Sequence, residues 1–215
     1  MAVKRYKKPG LIKKIIYRFR RPKALRAYDN ELSLKALGFS TPEPVGRIIT
    51  YNSLGCPVDS FYICLFVEMP PLVRFFEHPD GFDRNVIAAF ALYVAELHLR
   101  GVLFDDLNNS NVLVDIRPDK SVNFSLIDIN RMRFMNPARV SLIERFRNIS
   151  RFCYDRPDIF EFFAEKYIEA AIKIGLLDSS IDPLKFKQMA IDEKRRSDNS
   201  RRRLQILKHP LRTLR

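Results

Sequence analysis

The sequence predicts an α+β fold of two lobes, on three observations. Short β-like segments fall in the first part of the chain, and the last third reads as amphipathic helix. With 215 residues, 47% of them hydrophobic, there is one domain's worth of chain and ample material for a core. That apolar content also excludes disorder except at the ends, despite a net charge of +13. Cys56, Cys64 and Cys153 lie far apart without CxxC spacing, which excludes a disulfide scaffold and a zinc site of ordinary pattern and fits a reducing cytoplasm. The apolar runs, such as 87–95, fall short of the roughly 20 residues of a membrane span. The N-terminus has basic residues but no apolar signal core, so the chain is expected to be neither secreted nor membrane-spanning.

Residues 1–6 alternate like the end of a strand, and Pro9 and Gly10 break it. Apolar residues at 11, 12, 15, 16 and 19 give helical spacing, with lysines and arginines opposite. A second helix is expected over about 22–37, with Ala24, Leu25, Tyr28, Leu32 and Leu34 inward and Gly38 as its stop. Thr41-Pro42-Glu43-Pro44 is an extended connector, because proline disfavours helix in the residue before it. Strands are expected over 45–51 and 61–67, joined by a turn carrying Gly55 and Pro57 and stopped by Pro70 and Pro71. Residues 84–100 hold the clearest helix, with Val86, Ile87, Phe90, Ala91, Val94 and Leu97 at three-to-four spacing. A loop over 104–110, a strand over 112–115, a turn and a strand over 123–127 follow. Helices are expected over 138–152, 158–174 and 183 to about 196.

The charge sits at the ends. Residues 1–26 contain 11 basic residues and no acid, and residues 185–215 contain 11 basic and three acidic ones. The body between is mildly acidic. Basic ends attract polyanions, and the two commonest are nucleic acid and an anionic membrane surface; a solvated lysine-rich face is the plain alternative. Lys13, Lys14, Arg18, Arg20 and Arg21 beside Leu11, Ile12, Ile15 and Ile16 form an amphipathic arrangement suited to a membrane surface, although that apolar face could equally pack on the small lobe.

The chemistry concentrates after the long helix. Asp106-Leu107-Asn108-Asn109-Ser110-Asn111 matches the D-L-x-x-x-N of a kinase catalytic loop, and Asp128 follows 17 residues after Asn111 at the tip of a second strand. Phosphoryl transfer needs hard oxygen ligands for magnesium and a group that orients the attacking hydroxyl. Asn111 and Asp128 suit the first role, and Asp106 the second. Each alone would be an ordinary turn residue, since Asp and Asn are favoured at strand ends. His78, His98 and His209 have no metal spacing and are read as structural. Phe160, Phe162, Phe163 and Tyr167 form an aromatic stripe on a late helix, read as core.

On these residues the chain resembles the bacterial lipopolysaccharide core kinases, the Kdo/heptose kinase group within the protein-kinase-like fold, and in particular the short versions of Bacteroides-type bacteria. The resemblance runs through Val3-Lys4-Arg5-Tyr6, the stretch 36–44, the catalytic loop and the stretch 126–134. It implies a two-lobe kinase-like fold with an incomplete N-terminal lobe over 1–69, a mainly helical C-terminal lobe over 70–198 and a basic tail over 199–215. Lys4 then matches the strand lysine that contacts the phosphates of ATP, with Glu31 or Asp29 as its acidic partner and Glu31 preferred for its reach. Glu68 and Met69 fall at the hinge that passes the adenine. ATP and Mg2+ are the implied cofactors, Asp106 the catalytic residue, and Asn111 and Asp128 the metal ligands.

Three departures stand beside that pattern. Phe104 and Asp105 replace the His and Arg that protein kinases carry ahead of the catalytic Asp, and Asp128-Ile129-Asn130 lacks the glycine of D-F-G. Only Met1, Ala2 and Val3 precede Lys4, too few for a glycine-rich phosphate loop. A start assigned too far downstream, a true truncation and pseudokinase decay all account for this; the first is preferred, because the catalytic loop is intact and residues 1–3 read like the middle of a strand.

The expected function is transfer of the γ-phosphate of ATP to a sugar hydroxyl of a lipid-linked core oligosaccharide. The expected place is the inner face of the cytoplasmic membrane, where a monomer is held peripherally by its basic ends. A pseudokinase scaffold is the alternative. A nucleic-acid binder is set aside, because no recognition motif accompanies the basic ends.

Overall fold

The computed structural model describes residues 1–6, 21–78, 81–180 and 182–208, with side chains to residue 204. In chain order the elements are β1 (Ala2–Tyr6), α1 (Lys23–Ala36), β2 (Pro44–Tyr51), β3 (Pro57–Cys64), α2 (Arg84–Leu99), β4 (Val102–Phe104), β5 (Val112–Ile116), β6 (Val122–Leu126), β7 (Met132–Phe134), α3 (Leu142–Ile149), α4 (Pro157–Lys173) and α5 (Pro183–Lys208). The helix expected over 11–19 and the last residues of the basic tail lie outside the described residues.

Two compact units are formed, one by Met1–Pro71 with Asn111–Met132, the other by Leu72–Ser110 with Arg133–Arg215. The segment Asn111–Met132, expected with the helical lobe, belongs to the first unit because its strands bond there. Leu126 N–H donates to Ser40 O at 3.1 Å and Val114 N–H to Pro70 O at 2.9 Å.

In the first unit β1, β3 and β2 form an antiparallel sheet in the order β1-β3-β2. Period-two alternation on β3 turns Tyr62 and Cys64 inward, where they meet Tyr6 of β1 and Ala24 and Ala27 of α1. On α1 the buried face is Ala24, Ala27, Glu31 and Leu34, while Leu32, expected inward, is exposed. The inward stripe therefore contains a carboxylate, which a count of apolar residues alone passes over. Gly38, at φ +86°, ends the helix as expected.

Strand β3 starts at Pro57 and ends at Cys64, earlier than the expected 61–67. The Asn52 side-chain carbonyl accepts from Leu54 N and Cys56 N, closing a tight turn that lets pairing begin at once. Pairing stops where Ala2, the first residue of β1, meets Cys64, and the next amide, Leu65 N, bonds instead to Glu43 O at 2.9 Å. The Thr41-Pro42-Glu43-Pro44 connector lies along β6, and the Thr41 hydroxyl donates to Leu126 O at 2.9 Å.

The second unit is built on aromatic side chains. Phe152 packs on Phe163 at 4.6 Å and on Phe90 at 5.2 Å between ring centroids, joining α2 to α4. Phe160, Phe163 and Tyr167 are buried as the stripe predicts, whereas Phe162 is half-buried under the Arg84 guanidinium. Helix α3 is shorter than the expected 138–152, since a 3-10 turn occupies Pro137–Arg139 and Ser141 and Glu144 form a capping box that fixes the start at Leu142. Helix α5 runs twelve residues beyond the expected end at 196, to Lys208. No Gly or Pro interrupts it between Pro183 and Pro210, and ion pairs such as Arg196–Glu193 and Lys194–Asp198 span its turns. The three-residue strands β4 and β7, which pair with each other, are too short to leave a periodic signal.

Gly101, between α2 and β4, is at φ +74°, and a Cβ there would lie 2.0 Å from Met135 O. Gly38 has nothing within 4 Å of the same position. Gly101→Ala is therefore expected to cost several kcal/mol and Gly38→Ala about 1 kcal/mol. Thermal unfolding checks this, with a drop of about 2–4 °C expected for Gly38→Ala and a much larger one for Gly101→Ala.

Candidate active site

A cavity of about 470 Å3 lies within the first unit. Ala2, Tyr62 and Cys64 of the sheet and Phe66, Val67 and Met69 of the connector after β3 give it apolar walls, while Lys4, Glu31, Asn111 and Asp128 supply the polar part. The connector is anchored at both ends, by Leu65 N to Glu43 O and by Pro70 O to Val114 N. Between the anchors, Phe66, Val67, Glu68 and Met69 make no backbone hydrogen bond to other described residues. Met69 lines the cavity, and Glu68 is exposed outside its lining.

Asp128 ends the turn after β6 in the left-handed conformation, φ 56° and ψ 37°. Asp is among the few non-glycine residues that tolerate this region, at a cost of about 1 kcal/mol. Two contacts hold it there: Lys4 Nζ lies 2.6 Å from one carboxylate oxygen, and the Asn130 side-chain amide donates to the other at 2.6 Å. The part-buried hydrogen bond from Asn130 to the charged carboxylate is worth roughly 1.5–3 kcal/mol, enough to offset the backbone cost. Asn130, standing where a glycine was expected, is buried and acts as a clamp. Asn30 on α1 fixes the same turn by donating to Ile129 O at 2.7 Å. Asn111 precedes β5, and its carbonyl accepts from Ile127 N at 3.0 Å, so Asn111 and Asp128 reach the cavity from adjacent ends of β5 and β6.

The acid expected to pair with Lys4 does something else. Glu31 is 2% exposed and accepts from the Tyr62 hydroxyl, and burial pushes its carboxyl up to about 8, so it is protonated at neutral pH. Lys4 instead pairs with Asp128, whose charge is cheaper to keep in its more open setting. Asp29, the other candidate, faces outward to Arg21 and Arg47.

Asp106 belongs to the second unit, half-buried in the loop after β4. Its neighbour Asp105, where an arginine was expected, forms a two-armed ion pair with Arg133, at 2.8 and 3.2 Å, so the guanidinium arrives from β7 instead. The Asp105 carbonyl accepts from Arg151. Below the loop lies a buried chain. Asn148 donates from Nδ2 to Phe104 O at 2.9 Å, which turns its Oδ1 toward His98 Nε2 at 3.0 Å. Nε2 must therefore carry the hydrogen, leaving Nδ1 to accept from the Tyr167 hydroxyl at 2.7 Å. Burial lowers the His98 pKa to about 4. The structural role expected of His98 thus has a definite content, since it fixes the carbonyl two residues ahead of Asp106. Sequence reading missed Asn130, Arg133 and Asn148, which carry no motif and gain their roles from residues 2 to 50 positions away.

Among the described residues no three His, Cys, Asp or Glu side chains gather to hold a metal by themselves. Magnesium does not need such a cage, because it keeps waters and phosphate oxygens as ligands. The oxygen donors Asn111 and Asp128 fit that ion.

A family model, the lipopolysaccharide kinase (Kdo/WaaP) family, matches residues 6–152. The chain belongs to this family. Glu31, Glu68, Met69, Asp106, Asn111 and Asp128 lie inside the match, and Lys4 lies just before it. Among solved structures, WaaP in complex with acyl carrier protein superposes with a TM-score of 0.53 at 17% identity, covering 80% of this chain and 76% of that one. The kinase-like fold of the Kdo/WaaP family is therefore shared. The yeast RNA polymerase II CTD kinase CTDK-1 complex matches 78% of this chain and 53% of that one at 16% identity, with a TM-score of 0.37, too low to speak to the fold. No curated protein matches the chain.

Two pH effects follow from the buried groups. A raised Glu31 pKa means the native state holds a proton that the unfolded chain has lost, so the Glu31 contribution to stability is complete below about 4.5 and is lost as pH rises through about 8. Glu31→Gln should remove that decline, a difference of a few kcal/mol, in denaturant melts at pH 5 and pH 8.5. The lowered His98 pKa has the opposite sign: its contribution is complete above about 6.5 and lost toward 4. His98→Gln is expected to be less stable at pH 7 but to lose less on acidification over that range, as melts on the two proteins will show.

Proposed function

We propose that the chain is an ATP-dependent phosphotransferase that phosphorylates a sugar hydroxyl of a lipid-linked core oligosaccharide. The observation that carries this reading is the polar part of the first-unit cavity, where Asp128 is held by Lys4 and Asn130 beside Asn111. The adenine of ATP suits the apolar part, with the backbone groups of residues 66–69, which bond to no other described backbone group, available to its edge. Lys4 faces the phosphates. Asn111 and Asp128 would hold Mg2+, which when bound neutralises the charge on the transferred phosphoryl group. Asp106 orients the sugar hydroxyl and takes its proton. With Glu31 protonated, Lys4 is shared between Asp128 and the incoming phosphates rather than committed to a helix carboxylate. The basic ends of the sequence would keep the enzyme peripheral at an anionic inner membrane face. Among the described residues no helix is long and apolar enough to cross a membrane.

The pseudokinase reading draws on the same ion pair, because Lys4 covers an oxygen of Asp128 that a metal would use. Transfer of labelled γ-phosphate to purified core lipid separates the two. Magnesium-dependent transfer that falls by roughly 10²-fold or more in Asp106→Asn and in Asp128→Asn supports the enzyme. ATP binding without transfer by well-folded protein supports the pseudokinase.

A further inference from the structure

Helices α3 and α5 of the second unit enclose a groove of about 320 Å3 that shares no residue with the first-unit cavity. Four arginines line it: Arg147 on α3, Arg151 one turn later, and Arg196 and Arg201 on α5, with the Ser197 hydroxyl among them. Ser197 and Arg201, four residues apart, share one face of α5, and Arg147 and Arg196 reach the groove from either side of Glu193. Under them sits one carboxylate, Glu193, 8% exposed, at 3.0 Å from Arg147 Nε and 3.5 Å from Arg196 Nη1. A single, nearly buried negative charge thus meets two guanidinium groups while four positive ones line the groove.

The other two are also held in place. Arg151 donates through Nη1 to the Asp105 carbonyl, and Arg201 lies over the Tyr154 ring at 5.6 Å. The α5 backbone is itself pinned, because the buried Lys194 ammonium donates to Ser150 O at 3.1 Å and Phe152 O at 2.9 Å just past the end of α3. Each guanidinium has five N–H donors; Arg147, Arg151 and Arg196 spend one each on these contacts, and Arg201 spends none on the Tyr154 ring. Preset, planar donors around an excess of positive charge fit a phosphate, which they bind in pairs of parallel hydrogen bonds. A solvated surface has no need to collect four like charges about one carboxylate, where their mutual repulsion is a cost. The link to Asp105 puts this groove at the loop that carries Asp106.

We propose that the groove is a subsite for a phosphomonoester carried by the acceptor sugar. Calling the ligand an acceptor rests on the proposed kinase function; the binding itself requires neither ATP nor transfer.

Titration of the full chain with glucose 6-phosphate, with glucose, and with phosphatidylcholine vesicles with and without phosphatidic acid tests it. Glucose 6-phosphate is expected to bind and glucose not. The double variant Arg196→Gln/Arg201→Gln should weaken the phosphosugar by about tenfold or more, while Arg196→Lys/Arg201→Lys loses less. Asp128→Asn should bind it as the parent does. Equal binding of glucose, or unchanged affinity in a Gln variant with parental melting, overturns the proposal. Binding to phosphatidic acid vesicles alone, lost in the Gln variant, overturns it as well, because the phosphate is then a lipid headgroup. Retained phosphosugar binding without any ATP transfer removes the kinase reading and leaves the groove standing; transfer with phosphosugar binding untouched by the Gln variant does the reverse.

Discussion

The ion pair between Lys4 and Asp128 is the contact on which the first unit's site depends. At 2.6 Å it joins the edge strand β1 to the turn after β6, two parts of the chain more than 120 residues apart. Both groups are partly exposed, and a pair of that kind contributes no more than about 1 kcal/mol to stability. Its effect is geometric: with Asn130 it keeps the Asp128 carboxylate turned to one side of a left-handed residue that would otherwise relax. A carboxylate so held is suited to meeting a cation, and the lysine beside it to meeting phosphate. Glu31 can be uncharged because Lys4 already has a partner, and burial outweighs what the Thr41 hydrogen bond and the Lys35 charge do to keep it ionised.

The second unit solves a similar problem by burying neutral polar groups instead of exposed charged ones. The Tyr167, His98, Asn148 and Phe104 chain crosses an aromatic core, and every donor meets an acceptor once His98 carries its hydrogen on Nε2. Leaving one such group unpaired costs roughly 1–3 kcal/mol, so the network allows few arrangements and fixes the backbone that enters the Asp106 loop. Above it, Arg133 and Arg151 grip the side chain and the carbonyl of Asp105. The loop is thereby braced by the buried hydrogen bonds and by two arginines, of which Arg151 also lines the groove between α3 and α5.

Much of this was legible before any coordinates. Local spacing gave the helices α1, α2 and α4, the strands β1, β5 and β6, and the family, because three-to-four periodicity, strand alternation and the D-L-x-x-x-N spacing are properties of neighbouring residues. The misses have a common character. Strand β3 shifted since its length depends on partners in β1 and β2, and β4 and β7 went unseen since three residues carry no period. Helix α5 continues past 196 because arginines are good helix formers and ion pairs such as Lys194–Asp198 carry the helix across that point, while a run of arginines has the composition of a solvated tail.

The sequence by itself determined the fold class, the D-L-x-x-x-N loop and the presence of Lys4, Asn111 and Asp128, each fixed by chemical type and spacing. Which of them touch was a matter for the tertiary structure. Lys4 could have met Glu31, Asp29 or Asp128, and only burial decides: it neutralises Glu31, leaves Asp29 to surface arginines and gives Asp128 the lysine. Likewise, the arginines of α5 become a groove only when α3 lies beside them, since convergence of distant charges is set by helix packing and leaves no trace in local order.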